Sequence, residues 1–145
     1  MIFVSTALEL EINNNKIMKN LIVDATRDKI FLTLIVSENI YTCSHENSKI
    51  NFEKLMILIT EFLKNNKSSL NDIGSIYVNR GPGSFAGIRN SLSTIKALFL
   101  TKKIDYYCFS FDDFKESGTI KYVDVPQFCK KYKIKKNLIN PIYLS

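Results

Sequence analysis

The residues best placed to do chemistry lie in one short run, Arg80-Gly81-Pro82-Gly83-Ser84-Phe85-Ala86-Gly87. It holds three of the chain's five glycines and one of its three prolines. Gly81 and Gly83 can take positive φ, while Pro82 fixes φ and removes a donor. Ser84 stands at an N-cap position, with Phe85 opening a helical pattern. Such a turn puts free N–H groups at a helix N-terminus, where an anion could sit. The spacing is G-x-G-x-x-x-G, so it is not a dinucleotide fingerprint, and no G-K-[ST] follows to make a phosphate loop. The plain alternative is a tight strand-to-helix connection that binds nothing.

Few other residues offer chemistry. Asp24 closes an apolar run and could handle metal or phosphate, or simply bond its own turn. His45 is the single histidine, and no metal site can be assembled around it by spacing. Cys43, Cys108 and Cys129 are odd in number and form no C-x-x-C pair, which predicts neither a disulfide framework nor a zinc site. Reduced thiols in the cytoplasm are the simplest reading. The net charge is +6, and residues 113–145 carry seven lysines against three acids. A basic segment of this kind fits either a solvated surface or a nucleic-acid or acidic partner. No apolar run approaches the ~18 residues of a membrane span.

The elements that must position these groups follow from periodicity. Leu21–Thr26, Ile30–Val36 and Asn39–Cys43 read as three strands with short connectors, hence an antiparallel meander. Asn51–Asn66 reads as a helix capped by Asn51, with Phe52, Leu55, Met56, Ile59, Phe62 and Leu63 in one stripe that Ile57 and Leu58 widen. Ile73–Val78 is the strand feeding the glycine turn. Ser84–Leu100 is the second helix, with Phe85, Ile88, Leu92, Ile95 and Phe99 as its core stripe. Beside them Gly87, Ser91, Thr94 and Leu98 form a line that starts small, which suggests close approach of another helix. The alternative is packing against the first helix. Tyr106–Ser110 is a further strand, and Ser110 is placed to cap a helical turn. Beyond Glu116 the pattern weakens: Thr119–Val125 reads as a strand, Gln127–Tyr132 as a helical turn and 141–144 as extended.

The order β-β-β-α-β-α-β predicts an α/β fold, a mixed sheet with packed helices. It matches half of an actin-like, RNase H-like domain. Residues 1–17 fit poorly and read as an extension before a start at Met18. Residues 18–114 read as the domain and 115–145 as a short basic remnant and tail.

The string RGPGSFAGIR closely resembles the RGPGSFTGLR hallmark of the TsaB (YeaZ) family. The likeness extends to Met18–Thr26, to Asn51-Phe52-Glu53 where the family often has H-S-E, to Phe109-Ser110-Phe111-Asp112, and to the closing Pro141-Ile142-Tyr143-Leu144. Ala86 replaces the hallmark Thr, and Asn90-Ser91 follow Arg89 instead of a small apolar pair. Lys115–Leu138 is too short for the family's second actin-like domain, so the chain resembles an abridged member.

The resemblance implies a non-catalytic scaffold subunit of the tRNA N6-threonylcarbamoyladenosine modification complex, with no cofactor. It would pair through helices with a TsaD-type catalytic subunit, assisted by a TsaE-type ATPase. The H-x-x-x-H metal pair of TsaD-type catalysts has no counterpart here. Gly87, Ser91, Thr94 and Leu98 would be the contacts, while Arg80 and Arg89 flank the turn and would hold its geometry or meet an acidic partner group. Contact with tRNA would be indirect or weak, and a free helical face predicts a homodimer in isolation. Two other readings remain open at this level. One is a nucleotide-binding phosphoryl-transfer remnant using Asp24 and the Gly81–Gly83 turn. The other is a tRNA-contacting accessory using Lys130, Lys131, Lys133, Lys135 and Lys136.

Overall fold

In a computed structural model, residues 17–143 are described. The extension expected over residues 1–17 lies almost wholly outside them, as do Leu144 and Ser145. Five strands form one sheet: β1 Lys19–Asp24, β2 Lys29–Val36, β3 Asn39–Glu46, β4 Ile73–Asn79 and β5 Asp105–Phe109. Their order is β3-β2-β1-β4-β5. The first three pair antiparallel, while β1 with β4 and β4 with β5 pair parallel. The expected mixed α/β sheet is therefore present.

The helices are α1 Lys49–Glu53, α2 Leu55–Asn65, α3 Phe85–Lys102 and α4 Val125–Lys131. The single helix expected over 51–66 is in fact two. Ser48 rather than Asn51 is the cap, its side chain accepting from the Asn51 N–H at 3.3 Å. The break falls at Lys54, whose φ of −96° and ψ of 6° leave the α-helical range. Helix α2 has five buried apolar residues, Leu55, Leu58, Ile59, Phe62 and Leu63. Ile57, expected to widen that face, is 53% exposed. Two successive crossovers moving the same way across a sheet, both right-handed, place α1–α2 and α3 on one face. Their contacts with Leu21, Val23, Leu32, Leu34, Ile76 and Val78 make the main core.

The other face is covered by the segment after β5. Phe114, Val125 and Cys129 pack there on Ile22, Tyr77 and Phe109. No strand forms over 119–125: Tyr122–Asp124 is a 3-10 turn leading into α4, with Pro126 in the first turn where its missing N–H costs nothing. Residues 136–142 then run beside β5. Lys136 bridges to Tyr107, the Asn137 N–H donates to the Tyr106 carbonyl at 2.8 Å, and the Ile142 N–H donates to the Arg80 carbonyl at 2.7 Å. No described helix is long and apolar enough to cross a membrane.

This packing separates the three thiols. Cys108 and Cys129 are buried and Cys43 is half-buried. Burial pushes the Cys108 thiol up to about 11 and the Cys129 thiol up to about 12. Because the thiolate is the nucleophile, iodoacetamide at pH 8 should label Cys43 first, with the other two slower by about tenfold or more. Peptide mass mapping reads this directly, and equal rates would contradict the packing. The raised folded values also set a pH window. Stability from these thiols is fully present below the unfolded thiol value near ~8.5 and is lost as pH rises toward 11 and 12.

Candidate functional site

The glycine turn stands at the carboxyl ends of β1, β4 and β5, the edge where open α/β sheets hold ligands. Three neighbours build it. Asp24, at the end of β1, is 1% exposed. Its Oδ1 accepts from the Thr26 N–H at 3.0 Å and the Thr26 hydroxyl at 2.7 Å. Its Oδ2 accepts from Asn79 Nδ2 at 3.0 Å and from the Tyr122 hydroxyl at 2.6 Å. Asn79 Oδ1 in turn accepts from the Gly81 N–H at 2.9 Å. One carboxylate thus joins the end of β1, the end of β4, the glycine turn and the C-terminal segment.

The turn itself is tied from both sides. Gly81 has φ of +113°, a conformation that a side chain rarely adopts, and the Gly81–Pro82 peptide is cis. Gly83 was expected to share the positive φ but does not. It stays small because the Thr26 carbonyl oxygen lies 2.2 Å from where a Cβ would stand. Ser84 is the helix cap, as its type and position predict: its hydroxyl accepts from the Gly87 N–H at 3.2 Å. Arg80 Nη2 and Nε donate to Asp113 at 2.6 Å and 3.2 Å, and Nη1 donates to the Asn140 carbonyl at 3.1 Å. Of the two roles the sequence offers Arg80, holding the turn or meeting a partner, the structure shows the first, its guanidinium being spent inside the chain.

Between the turn and the C-terminal segment is a cleft of about 390 Å³, lined by Thr26, Arg27, Asn79, Gly81, Ser110 and Thr119 among others. Tyr122 stands beside it, packed against Phe31 and Phe111. Burial first, and then the Asp24 carboxylate, push the Tyr122 hydroxyl above its ordinary range. The phenol therefore stays protonated and donating at every ordinary pH. Of the two readings of Asp24, metal or phosphate handling and bonding of its own turn, the structure shows the second: Oδ1 accepts from the Thr26 N–H, and both oxygens are occupied by protein donors. Among the described residues no group of three or more His, Cys, Asp or Glu side chains could hold a metal.

The line expected to meet a partner lies elsewhere than anticipated. Gly87, Ser91 and Leu98 are buried within this chain, and Thr94 is half-buried. The Ser91 hydroxyl donates to the Ile88 carbonyl at 3.1 Å. Gly87 faces the Ala25 carbonyl of the sheet. A bulky residue at 91 would therefore disturb the fold, not a docking face. The small Gly87 lets α3 approach the end of β1, whereas the readings from the sequence are a partner's helix or the chain's own first helix. Phe85, expected in the core stripe, is 56% exposed and packs beside Tyr143 at 4.7 Å between ring centroids. The outward face of α3 carries Arg89, Ser93, Lys96 and Leu100, which with Ile139 and Tyr143 line a groove of about 380 Å³.

The basic run is only partly free. Lys131 pairs with Glu116, and Lys136 lies 3.6 Å from Asp105. Lys130 and Lys133 rim a cleft floored by the stacked Tyr77 and Tyr107 rings. Sequence reasoning missed Tyr122, Asn79 and Asp113. Asp113 had a legible signal, since Ser110-x-x-Asp113 forms a capping box. Tyr122 had none, being 98 residues from Asp24.

Residues 45–110 match the family described as TsaD, tRNA N6-adenosine threonylcarbamoyltransferase. The TsaB protein of Buchnera aphidicola subsp. Schizaphis graminum is 30% identical over 87 residues, covering 60% of this chain and 41% of that protein. Its counterpart in Buchnera aphidicola subsp. Baizongia pistaciae is 38% identical over 65 residues, covering 39% and 29%. The chain thus spans less than half the length of these curated relatives. Among solved structures, YeaZ from Pseudomonas aeruginosa superposes with a TM-score of 0.59 at 17% identity, over 64% of this chain and 44% of that one. The fold is accordingly the actin-like, RNase H-like α/β fold, and over these spans the chain is similar to TsaB (YeaZ) proteins.

Proposed function

We propose, from this kinship with the TsaB proteins, that the chain serves tRNA N6-threonylcarbamoyladenosine biosynthesis as a non-catalytic subunit. It docks on a TsaD-type threonylcarbamoyltransferase in the cytoplasm, with a TsaE-type ATPase as the third component. The observation that carries the docking is the outward face of α3. Leu100 is 66% exposed and Phe85 56%, and they stand at either end of the helix with Arg89 and Lys96 between them. Large apolar residues ringed by polar ones are how a docking surface is built. The occupied Asp24 carboxylate supports a structural role for the glycine turn: it holds α3 at a fixed angle to the sheet.

Of the contacts expected from the sequence, Arg89 remains on the docking face and Thr94 at its border. Gly87, Ser91, Leu98 and Arg80 act by placing the helix. The test is co-purification with the threonylcarbamoyltransferase subunit of the same cell. A stable complex is expected from the wild type. Leu100→Glu should weaken it about tenfold or more, since it sets a charge in a desolvated contact, and should leave the exposed site's own folding intact. Absence of a complex with the wild type would refute the docking.

A further inference from the structure

The two edges of the sheet are treated differently. Residues 136–142 cover the outer edge of β5. Nothing described covers the outer edge of β3, whose first four residues are all exposed, with Ile40 at 47% and Tyr41 at 39%. Open edges are normally blunted by lysine, proline or a bulge. Asn39–Glu46, reading N-I-Y-T-C-S-H-E, contains no lysine, arginine or proline. Its pairing with β2 runs through eight consecutive residues with no shift in register.

Hairpin geometry decides which backbone groups are free. Ser37-Glu38 form a two-residue turn, so Val36 and Asn39 are the closing hydrogen-bonded pair. Alternation then aims the groups of Tyr41, Cys43 and His45 at β2, and those of Ile40, Thr42 and Ser44 outward. Among the described residues nothing pairs with these outward groups, and three such donor–acceptor sets in a row are what an added strand requires.

We propose that β3 is a self-association edge, pairing antiparallel with β3 of a second copy about a two-fold axis, so that two sheets become one of ten strands. Side-chain chemistry selects a second copy. Residues directly opposite must share a face, so the axis passes through one residue. Centred on Thr42, the strand sets Glu46 against the partner's Glu38, a like-charge opposition. Centred on Cys43, it sets Glu46 against Ile40, Thr42 against Ser44 and Tyr41 against His45, with no like charges facing. The strand is complementary to itself in that register. Cys43 then meets its own copy in a non-hydrogen-bonded pair, where Cα atoms stand ~4.5 Å apart, inside the range a disulfide spans. This edge lies across the sheet from β5 and does not involve the groove on α3, so it stands apart from the docking proposed above.

The experiment is sedimentation equilibrium of the full chain over a range of concentrations, with diamide cross-linking. Diamide takes up the two protons and two electrons that two thiols release on forming a disulfide. The expected result is a dimer of twice 16.7 kDa that oxidises to a species linked through Cys43 and absent in Cys43→Ser. Thr42→Lys with Ser44→Lys, both exposed, sets like charges opposite one another and should weaken association about tenfold or more. Thr42→Pro, which removes one outward N–H, should do the same by a different route. Circular dichroism and thermal melting confirm that each variant is folded. Three outcomes overturn the proposal: a monomer throughout, a dimer indifferent to the lysine pair and the proline, or no Cys43 linkage in the dimer.

Discussion

Gly87→Ala is expected to destabilise the protein by about 3 kcal/mol or more, although the same change in an exposed helix would stabilise it by about 1 kcal/mol. The sign reverses because of a single atom. A Cβ built at Gly87 would stand 1.8 Å from the Ala25 carbonyl oxygen and 3.3 Å from Asn47 Nδ2. The first neighbour is backbone at the end of β1 and cannot swing away as a side chain would. Asn47 Nδ2 itself donates to that carbonyl at 3.1 Å. To admit a methyl group, α3 must lift from the sheet, and Ile88 and Leu92 lose their packing. Urea unfolding of the two proteins settles it. A midpoint for Gly87→Ala equal to or above the wild type would show that helix and strand are not in this contact.

Asp24→Ala is the second large effect, again about 3 kcal/mol or more. The loss is not of one bond. Removing the carboxylate strands the Asn79 amide, the Thr26 hydroxyl and the Tyr122 hydroxyl at once. Buried donors without acceptors cost far more than the net worth of the bonds they made. Tyr122→Phe is the informative companion. It deletes one charge-assisted bond and leaves Asp24 its other three donors, so it should cost about 1.5–3 kcal/mol. It should also speed proteolysis within residues 115–131, because Tyr122 fastens that segment to β1. A loss below about 1 kcal/mol for Asp24→Ala, with proteolysis of Tyr122→Phe unchanged, would contradict this network.

The sequence exposed the architecture because that part of the information is local. Alternating strands, the α2 stripe and the Ser84 cap are each written within a few residues. What stayed hidden depends on partners far along the chain. Asp24 alone reads as a metal or phosphate handler or a turn residue. Only Asn79 and Tyr122, 55 and 98 residues away, decide that it is a tie. The line Gly87, Ser91, Thr94 and Leu98 reads in sequence as a face for another helix, but Gly87, Ser91 and Leu98 are buried within this chain. Periodicity cannot say which surface approaches, and at Gly87 it is the backbone just past the end of β1. Phe85 was assigned to the core because its spacing matches Ile88 and Leu92. Its ring is instead 56% exposed and packs beside Tyr143.

The strip of residues 136–142 that fastens to Tyr106 and Arg80 has a consequence in time. Synthesis runs from the N-terminus, and all five strands have been made by Phe109. Arg80 still lacks the Asn140 carbonyl, which lies 60 residues beyond it in the chain. Until that stretch leaves the ribosome, the nascent sheet has both borders bare and one broad side undressed. That interval is when the chain most needs a chaperone, and it closes when the strip is laced on.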